Sequence, residues 1–468
     1  MRIGVTGATG FIGRALVQTL LGRRDEVIAL TRNKDRARGL VGPNVRLVNA
    51  SELDAAVDGT DAVINLAGEP ILGRWTAARK RRLVGSRVDL TRQLVASMDR
   101  ASIRPHVLVS ASAVGIFQGG FLQSLCADWE AAAREAEALS VRVVLPRIGL
   151  VLEREGDLLG RMAPVFRLGL GGRLGSGKQW MPWIHLNDLI RLIVWGLDND
   201  AVKGAISATA PHPVTNAAFT KALGKARDRP TFATVPVFLV KLALGAAATL
   251  LLDGPEVRPT EALAAGFAFD FERLEAALSD VFSDEDAPQF GPPRDIPPEL
   301  TQRGLRPSSS LVQSVRLEAP IDQVFDVFSA AENLGVMTPA WMGFRILSGP
   351  TDAVSAGDHI AYRIQLGPLP MRWLTEIQAW VPRERFVDNQ LKGPYSVWWH
   401  EHSFEAHRDH TIMRDRVYFK PPLGPLGRLA EGLVVRPMLR RVFGYRATVI
   451  RRIFPAPRAT LRGEAARG

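Results

Sequence analysis

Short apolar runs rich in β-branched residues alternate with longer segments of helical spacing along the first 210 residues. The helical segments include Ile12–Leu21 and Ser86–Arg100. The apolar runs predict β-strands at Arg2–Thr6, Glu26–Thr31, Val45–Val48, Ala62–Leu66, His106–Ser110 and Arg142–Pro146. This alternation predicts an α/β domain, in which a parallel sheet is covered by helices on both faces. Residues 211–283 add a mostly helical extension, so the first predicted domain spans residues 1–283.

The pattern changes after residue 283. Residues 284–310 contain six prolines and few apolar residues, which predicts a linker. Residues 311–455 alternate apolar and polar positions with a period of two, which predicts an α+β domain. Its later strands are predicted at Gly357–Leu366, Arg372–Val381, Arg385–Gln390, Trp398–Ala406 and Thr411–Phe419, and its closing helix at Leu426–Phe454. Residues 456–468 are left as a basic tail.

Composition places the chain among ordinary globular proteins of two or three domains. It has 468 residues, of which 46% are apolar and 23% are charged. Its single cysteine, Cys126, excludes an intrachain disulfide and fits a reducing, cytoplasmic setting. The net charge of +11 comes from 50 Arg and 9 Lys against 48 acidic residues. Because no nucleic-acid-binding signature accompanies this charge, we predict no nucleic-acid partner.

Neither a signal peptide nor a membrane span is predicted. Met1 leads directly into a strand and a glycine turn, without an apolar leader. The most apolar stretch, Pro236–Leu252, is 17 residues long and contains Lys241, whereas a spanning helix needs about 20 apolar residues. We therefore predict a buried or docked helix over this stretch.

Three glycines after the first strand predict a site for the pyrophosphate of a dinucleotide. Gly7 allows a tight turn, Gly10 lets the backbone approach the phosphates, and Gly13 lets the next helix pack against the strand. The N-terminus of that helix presents N–H groups and the positive end of the helix dipole. The motif follows a predicted strand and opens a predicted helix, which is the context that supports it. The candidate contacts are Gly7, Thr9, Gly10, Phe11, Ile12 and Gly13.

The Gly-x-x-Gly-x-x-Gly spacing resembles that of the extended short-chain dehydrogenase/reductase superfamily. One subgroup, the epimerase family proteins with a C-terminal helical extension, is similar over residues 1–282. The matching segments are Asn65–Ile71, Arg74-Trp75, Ser110–Ala113, Trp129-Glu130, Arg167–Gly172, Gly175–Gly177 and Trp183–Asp188. The resemblance implies a Rossmann-like fold and oxidoreductase or epimerase activity on a small carbonyl or sugar-like substrate. It also implies cofactor contacts at Leu66, Ala67, Gly68 and Ser110.

The residues after the second strand favour NADP(H) over NAD(H). An NAD site usually has Asp or Glu here to bind the ribose hydroxyls, but this chain has Thr31 followed by Arg32. A carboxylate would repel a 2′-phosphate, whereas a guanidinium can pair with it through two hydrogen bonds. We therefore predict that Arg32 contacts the 2′-phosphate of NADP(H). Lys34 and Arg36 either add positive potential or are solvated loop charges.

The catalytic residues that the resemblance implies are incomplete in this chain. Short-chain dehydrogenases usually use a Ser, a Tyr and a Lys, and the tyrosine transfers the proton. Ser112 matches the serine, but Leu122 and Cys126 stand in the places of the tyrosine and the lysine. No tyrosine precedes Tyr362. We assign Cys126 to a buried apolar position, and His185 to a structural hydrogen bond at a strand-to-helix turn.

Three functions stay open at this point. The first is an NADP(H)-binding oxidoreductase whose Tyr–Lys site is impaired. The second is a non-catalytic sensor of NADP(H) and an apolar ligand that signals to a partner. The third is a lipid-binding protein whose N-terminal domain is only a scaffold. The missing tyrosine favours the sensor over a fully active enzyme.

Residues 311–455 resemble the START-like, polyketide-cyclase-like (SRPBCC) domains. The matching segments are Glu318–Pro320, Val324-Phe325, Arg385-Phe386, Gly393–Tyr395 and Pro422–Gly427. The resemblance implies a helix-grip fold, in which a curved antiparallel sheet and a long C-terminal helix enclose a cavity for an apolar ligand. The candidate lining residues are Trp341, Trp373, Trp380, Tyr395, Trp398 and Trp399.

Two further patterns in this domain admit functional interpretations. His400 and His402 share one strand face, and His407 and His410 are near in sequence. We predict no metal site from them. The closing helix combines an apolar stripe with several arginines, which is also the pattern of a membrane-surface helix. We assign it to the domain core with a solvated basic face.

Overall fold

The computed structural model describes residues 1–454 except 155, 157–158, 161, 163–164, 167–168, 170, 283–286, 351–353, 367–368 and 409. The chain divides into two compact units. The first unit comprises residues 1–34 and 45–283, and the second comprises residues 35–44 and those from 284 onward. The predicted basic tail, 456–468, lies outside the described residues.

The first unit is built on a parallel sheet. Its strand order is β12-β7-β5-β4-β1-β2-β3, and β6 pairs in parallel with β7. The strands are nearly continuous apolar runs because helices cover both faces of such a sheet. The strands are β1 Arg2–Thr6, β2 Glu26–Leu30, β3 Val45–Val48, β4 Ala62–Asn65, β5 Val107–Ser110, β6 Ser112–Ala113, β7 Arg142–Ile148 and β12 Gly204–Ala208. The predicted Rossmann-like sheet is confirmed.

Short strand pairs and helices complete the region before residue 283. The short strands are β8 Leu150–Leu152, β9 Gly172–Leu174, β10 Trp180–Met181, β11 Trp183–His185, β13 Val214–Thr215 and β14 Ala233–Val235. The helices are α1 Phe11–Gly22, α2 Lys34–Val41, α3 Ala77–Val84, α4 Leu90–Arg100, α5 Gly120–Arg134, α6 Leu186–Asp198, α7 Asn216–Ala226, α8 Val237–Leu244, α9 Thr249–Leu252, α10 Thr260–Ala264 and α11 Leu274–Val281.

The helix predicted at Ser86–Arg100 is longer and interrupted. It begins with α3, where the Thr76 hydroxyl accepts the backbone N–H of Arg79. A π-helical turn at Gly85–Asp89 separates α3 from α4. Such turns often occur at functional sites. This one carries Ser86 and Arg87, which hydrogen-bond the backbone of Glu69.

The apolar stretch 236–252 is not one buried helix. It forms α8, a 3₁₀ turn and α9, and Gly245 after α8 has a φ of 58°. Phe238 and Leu242 are 66% and 65% exposed, whereas Val240 is buried. Of the two predicted alternatives, a buried or a docked helix, the buried one was therefore wrong. In the described part of the chain, no helix is long and apolar enough to cross a membrane.

The second unit is an antiparallel sheet of eight strands in the order β15-β16-β22-β21-β20-β19-β18-β17. The strands are β15 Gln289–Gly291, β16 Ser309–Leu317, β17 Arg345–Ser348, β18 His359–Leu366, β19 Leu369–Val381, β20 Arg385–Lys392, β21 Val397–Ala406 and β22 Thr411–Lys420. Its other helices are α12 Pro298–Gln302, α13 Ile321–Ser329, α14 Leu334–Met337, α15 Gly424–Ala430 and α16 Arg436–Ile453. The predicted helix-grip architecture is confirmed.

Residues predicted as a linker are part of this second unit. Strand β15 pairs with β16, and Leu300 of α12 is fully buried against Trp399 and Tyr418. The Tyr418 hydroxyl also lies 2.6 Å from the carbonyl oxygen of Arg294. Pro298 stands at the start of α12, where its missing N–H is not needed, and β15 is an edge strand, beside which proline is tolerated. Residues 289–310 are therefore structural, and our linker interpretation of them is corrected.

The closing helix packs on the sheet, with a break near its start. A π-helical turn at Glu431–Val435 separates α15 from α16. On α16 the buried side chains are Leu439, Phe443, Ala447, Val449 and Ile450. They belong to two apolar clusters that also hold side chains of β16, β21 and β22. The first half of α16 also borders a cavity, which its residues Met438, Leu439, Val442, Phe443 and Arg446 help to line.

Candidate functional site

The glycine turn of the first unit has the geometry of a phosphate cradle. Gly7 has a φ of +71°, and a Cβ on Gly13 would lie 2.1 Å from the Gly7 carbonyl oxygen. Both positions therefore exclude side chains for reasons internal to the fold. A Cβ on Gly10 would meet, among the described atoms, only the Gly7 carbonyl oxygen at 3.0 Å. Gly10 precedes α1, so the space that its missing side chain leaves open lies at a helix N-terminus.

A buried polar network holds the neighbouring loop. The Thr6 hydroxyl donates to Asn65 Oδ1 at 2.6 Å, and the backbone N–H of Ala67 donates to Thr6 Oγ1 at 3.3 Å. Asn65 Nδ2 then donates to the hydroxyls of Thr91 at 2.8 Å and Ser110 at 3.1 Å. These contacts fix the segment Leu66–Gly68 at the carboxyl ends of β1, β4 and β5. Ser110 is fully buried, so its side chain supports this loop through its hydrogen bond with Asn65.

Thr31 and Arg32 follow the end of β2, beside the glycine turn. The Thr31 hydroxyl accepts the backbone N–H of Asn33, and Arg32 is exposed. Lys34 forms an ion pair with Glu52 at 2.7 Å. No carboxylate occupies the Thr31–Arg32 positions, so a 2′-phosphate would meet no repulsion there. The residues present thus fit a dinucleotide with a phosphorylated ribose.

Ser112, the predicted catalytic serine, is held by a carboxylate. Its hydroxyl donates to Glu130 Oε1 at 2.7 Å, and both groups are buried. Arg147 donates to both Glu130 oxygens at 2.8 Å. This hydrogen bond raises the pKa of Arg147, although burial opposes the shift. Sequence reasoning did not assign Glu130 or Arg147, because their roles depend on β7 running beside β6.

The positions of the missing tyrosine and lysine are apolar. Leu122 and Cys126 are 4% and 3% exposed. Burial, together with the charge of Glu130, raises the pKa of the Cys126 thiol to about 11. The predicted assignment of Cys126 to a buried apolar position therefore fits its surroundings.

Arg87 is a half-buried cation next to the cofactor loop. Its guanidinium donates to the Glu69 carbonyl oxygen at 2.9 Å and lies 5.3 Å from the Trp129 ring centroid. A Cβ on Gly68 would come within 2.9 Å of Arg87 Cζ. Burial lowers the pKa of Arg87 from its ordinary value. The sequence carried no signal for this residue, because the π-helical turn that places it was not predicted.

His185 has a structural role. Its Nδ1 accepts the backbone N–H of Asn187 at 3.2 Å and caps α6. Its Nε2 lies 3.2 Å from Asp280, and its ring packs on Phe271. Because both ring nitrogens have partners, the predicted hydrogen-bonding role accounts for this residue.

The second unit encloses an apolar cavity of about 150 Å³. Four predicted lining residues do line it, namely Trp373, Trp380, Tyr395 and Trp398. Two predictions need correction. Trp341 packs near the cavity, under the guanidinium of Arg441 at 4.7 Å, and is not among the lining residues. Trp399 points to the opposite face of β21 and packs on Tyr418, because side chains alternate along a strand.

Ionisable side chains of β20, β21 and α16 line one part of this cavity. We call this part, formed by Asp388, His400, His402 and Arg446, the cavity floor. His400 Nε2 is hydrogen-bonded to Asp415 Oδ1 at 2.8 Å, and His402 Nε2 to Asp388 Oδ2 at 3.2 Å. His402 Nδ1 also lies 2.8 Å from Asp415 Oδ1, but poorly aligned for a hydrogen bond. Arg446 of α16 lies 3.3 Å from the same oxygen. Asp388, His400, His402 and Arg446 line the cavity.

The charges in this cluster support one another. Burial favours the neutral form of Asp388 and Asp415, but the neighbouring histidines, and Arg446 in the case of Asp415, lower both pKa values. Burial likewise lowers the pKa of His400, and the two carboxylates outweigh it and raise the value. Sequence reasoning noted the two histidines but missed their partners. The available signal was register, since Asp388 pairs with His400 and Asp415 with His402 across neighbouring strands.

Comparisons with known proteins agree with this division of the chain. The NAD dependent epimerase/dehydratase family matches residues 3–124, and a domain of unknown function matches residues 235–281. The polyketide cyclase / dehydrase and lipid transport family matches residues 317–443. The chloroplastic epimerase family protein SDR39U1 homolog of Arabidopsis thaliana is 40% identical over 298 residues, which cover 59% of this chain and 86% of the relative.

The chain belongs to this epimerase family. A second family member, YfhF of Bacillus subtilis, is 32% identical and is covered over 99% of its length, against 61% of this chain. The crystal structure of the human family member SDR39U1 with NADPH is 36% identical, with a TM-score of 0.56. It covers 61% of this chain and all of the human chain. These epimerase family relatives correspond to about three fifths of the chain, whereas the polyketide cyclase match lies within its C-terminal part.

Proposed function

We propose that the first unit binds NADP(H) at the carboxyl edge of its parallel sheet. The pyrophosphate would contact the N-terminus of α1 across Gly10, and Arg32 would pair with the 2′-phosphate. The human relative solved with NADPH supports the choice of cofactor. The space beside Gly10 supports this location for the pyrophosphate. A Cβ at Gly10 would meet, among the described atoms, only the Gly7 carbonyl oxygen at 3.0 Å.

We further propose that hydride transfer to a small carbonyl or sugar-like substrate is slow at most. The observation that carries this proposal is the hydrogen bond that Ser112 donates to Glu130 at 2.7 Å. A hydroxyl engaged in this way polarises a carbonyl poorly. A bound nicotinamide would supply the hydride, but Leu122 and Cys126 supply no proton, so the alkoxide oxygen would take its proton from water. General acid catalysis typically accelerates a reaction by about 10²–10⁴-fold, and this chain would lack that acceleration.

The second candidate is a non-catalytic sensor that reads NADP(H) and an apolar ligand. The same Ser112–Glu130–Arg147 contacts favour it, because they stabilise this region without needing a substrate. The two candidates differ only in turnover, so one assay separates them.

The assay uses the full chain with NADPH and a panel of aldehydes and ketones, and follows NADPH absorbance. We expect tight NADPH binding, a turnover far below that of a tyrosine-bearing relative, and only a modest change in the Ser112→Ala variant. Binding without any turnover would favour the sensor. A brisk rate that Ser112→Ala abolishes would contradict the proposal, since it would require another acid at the site.

For the second unit we propose an apolar ligand of about one aromatic ring. An apolar cavity of about 150 Å³ is known to admit a benzene-sized molecule, and this cavity has that volume. Mass spectrometry of molecules retained by the purified chain would identify the ligand. Trp398→Phe should weaken its binding, whereas Trp399→Phe, the next residue on the opposite strand face, should not. Equal effects of the two variants would contradict this location.

The setting that we propose for the chain is the cytoplasm. Its only cysteine is reduced and buried, so nothing in its covalent structure calls for an oxidising compartment. The Arabidopsis relative is chloroplastic by name. Fractionation of cells expressing the full chain with a C-terminal fluorescent protein would test the proposal, and an organellar or extracellular signal would contradict it.

A further inference from the structure

The floor of the cavity brings two histidines and a carboxylate to one point. Asp388 Oδ2 lies 3.3 Å from His400 Nδ1 and 3.2 Å from His402 Nε2. The three ligand atoms lie within 4.8 Å of one another, and all three residues line the cavity. We propose that Asp388, His400 and His402 bind a divalent transition-metal ion of the zinc or ferrous iron class. The site would keep an open coordination position toward the cavity.

The spacing of these atoms fits ligands of a single ion. Zinc–nitrogen and zinc–oxygen bonds are about 2.0–2.2 Å long, so two ligands at a tetrahedral angle lie about 3.3–3.5 Å apart. The two distances from Asp388, 3.3 and 3.2 Å, are close to that separation. Strand geometry produces them. His400 and His402 are two residues apart and project from one face of β21, and Asp388 pairs with His400 from β20.

The outer nitrogens of both imidazoles face a second carboxylate. Asp415 Oδ1 lies 2.8 Å from His400 Nε2 and 2.8 Å from His402 Nδ1. Arg446 lies 3.3 Å from the same oxygen and holds it in place. A histidine that binds a metal usually directs its other nitrogen at a carboxylate or carbonyl, which fixes its tautomer and orientation. Asp415, which is 1% exposed, is thus a positioning residue for His400, to which it is hydrogen-bonded, and it lies beside His402 as well.

The two rings are close enough to serve one ion. The ring centroids of His400 and His402 are 3.9 Å apart, and each ring directs one nitrogen at Asp388. A metal ion at the shared point would accept lone pairs from both rings and from the carboxylate together.

The surroundings indicate what the open position would bind. Phe386 stacks on His402 with ring centroids 4.2 Å apart, and Phe443 lies 5.6 Å from His400. Three protein ligands leave a position for an exogenous donor, as in catalytic zinc sites. The site would therefore take a carbonyl, hydroxyl or carboxylate oxygen of an otherwise apolar molecule. This last step rests on the proposed apolar ligand, whereas metal binding itself does not.

The test uses the full chain without a histidine tag, stripped with a chelator and titrated with Zn²⁺ in a calorimeter. Co²⁺ serves as a second, spectroscopic probe. We expect one equivalent per chain, and a thermal midpoint that rises with Zn²⁺. His400→Ala and His402→Ala should each weaken binding by more than about 100-fold, and Asp415→Asn by about 10–100-fold. Asp388→Asn, which is nearly isosteric, keeps the test valid if the histidine variants do not fold.

The control is the double variant His407→Ala with His410→Ala. These two rings lie 4.5 Å apart at the end of the same strand pair, and the His407 side chain is 37% exposed. Zn²⁺ affinity should not change in this control. Absence of saturable Zn²⁺ and Co²⁺ binding by the wild-type chain would overturn the proposal and leave a metal-free ion-pair network. Loss of binding in the control, with Asp388→Asn unaffected, would overturn it too, because the metal would then sit on the surface pair.

Discussion

The two candidate sites are built from different parts of the chain. The edge of the parallel sheet in the first unit is made by backbone: Gly7 and Gly13 allow close packing within the fold, and Gly10 leaves room for a ligand. The cavity floor of the second unit is made by side chains, where Asp388, His400 and others converge under aromatic rings. A backbone site tolerates the loss of its catalytic side chains and can still bind a cofactor. A site made by side chains does not tolerate such losses, because each of its charged groups is stabilised by its neighbours.

The largest effects are expected from substitutions in the glycine turn of the first unit. One substitution should disrupt folding, and the other should disrupt cofactor binding. Gly13→Val should prevent folding of the first unit, because its Cβ would lie 2.1 Å from the Gly7 carbonyl oxygen. Gly10→Val should destabilise the unit much less, since its Cβ would meet, among the described atoms, only that oxygen and at 3.0 Å, yet it should lose NADPH binding. Circular dichroism melting and NADPH titration check both results. If Gly10→Val bound NADPH like the wild type, the proposed location of the pyrophosphate against Gly10 would be wrong.

The next largest effect is on the free energy of unfolding, to which the ion pairs at the cavity floor contribute. Arg446→Met removes the arginine that pairs with Asp415, which is 1% exposed, and leaves only the two histidines beside this carboxylate. Breaking a buried pair in this way typically costs about 3–5 kcal/mol. The control Arg134→Met breaks an exposed pair with Glu137 in the first unit and should cost less than about 1 kcal/mol. Urea unfolding of both variants measures this difference, and equal costs would show that burial does not govern the cluster.

A smaller effect is expected at the cofactor's 2′-phosphate. Arg32→Gln removes a charge-assisted hydrogen bond worth about 1.5–3 kcal/mol, so NADPH affinity should fall about tenfold or more. NADH affinity should stay the same. The control Arg104→Gln lies before β5, at the amino ends of the parallel strands, and should change neither affinity. Fluorescence titration with both cofactors decides the matter, and a wild type that prefers NADH would refute the assignment of Arg32.

The smallest effect concerns Cys126 in the place of the missing lysine. Burial raises the pKa of its thiol to about 11, so the thiolate is scarce below that pH. Alkylation by iodoacetamide should be very slow at pH 8 in the folded chain and should accelerate as pH rises toward 11. The unfolded chain in urea, with an ordinary thiol pKa of about 8.5, is the control. Fast alkylation of the folded chain at pH 8 would mean that a base lies within reach of this residue.

Local patterns were enough to predict most of the fold. The strands that were predicted in both sheets agree with the observed ones to within a few residues, because period and β-branching are local signals. Strands β6, β12, β15 and β17 were not predicted. The interruptions were not predictable in this way. The π-helical turns at Gly85–Asp89 and Glu431–Val435 leave no periodic trace, and the first of them places Arg87.

Prediction of the sites failed where partners come from distant parts of the chain. The glycine turn is contiguous, so its residues were predictable together. Glu130, from a helix, accepts the hydroxyl of Ser112, and Arg147, from a strand, donates to Glu130. Asp388 and Asp415 flank the histidines from two neighbouring strands. Such contacts depend on strand order and register, which a reading of one segment at a time does not provide.

The edge strand β15 has a consequence for aggregation. Strand β16 pairs with β22 on one side along Ser309–Leu317, and β15 covers part of its other side at Ser310–Val312. A fragment that began at residue 309 would expose this row of unpaired N–H and C=O groups, and would lack Leu300 from its core. Exposed edges of this kind template pairing with other chains. The proline-rich residues 289–310 therefore protect the sheet against self-association, and truncation there should favour oligomers over monomers.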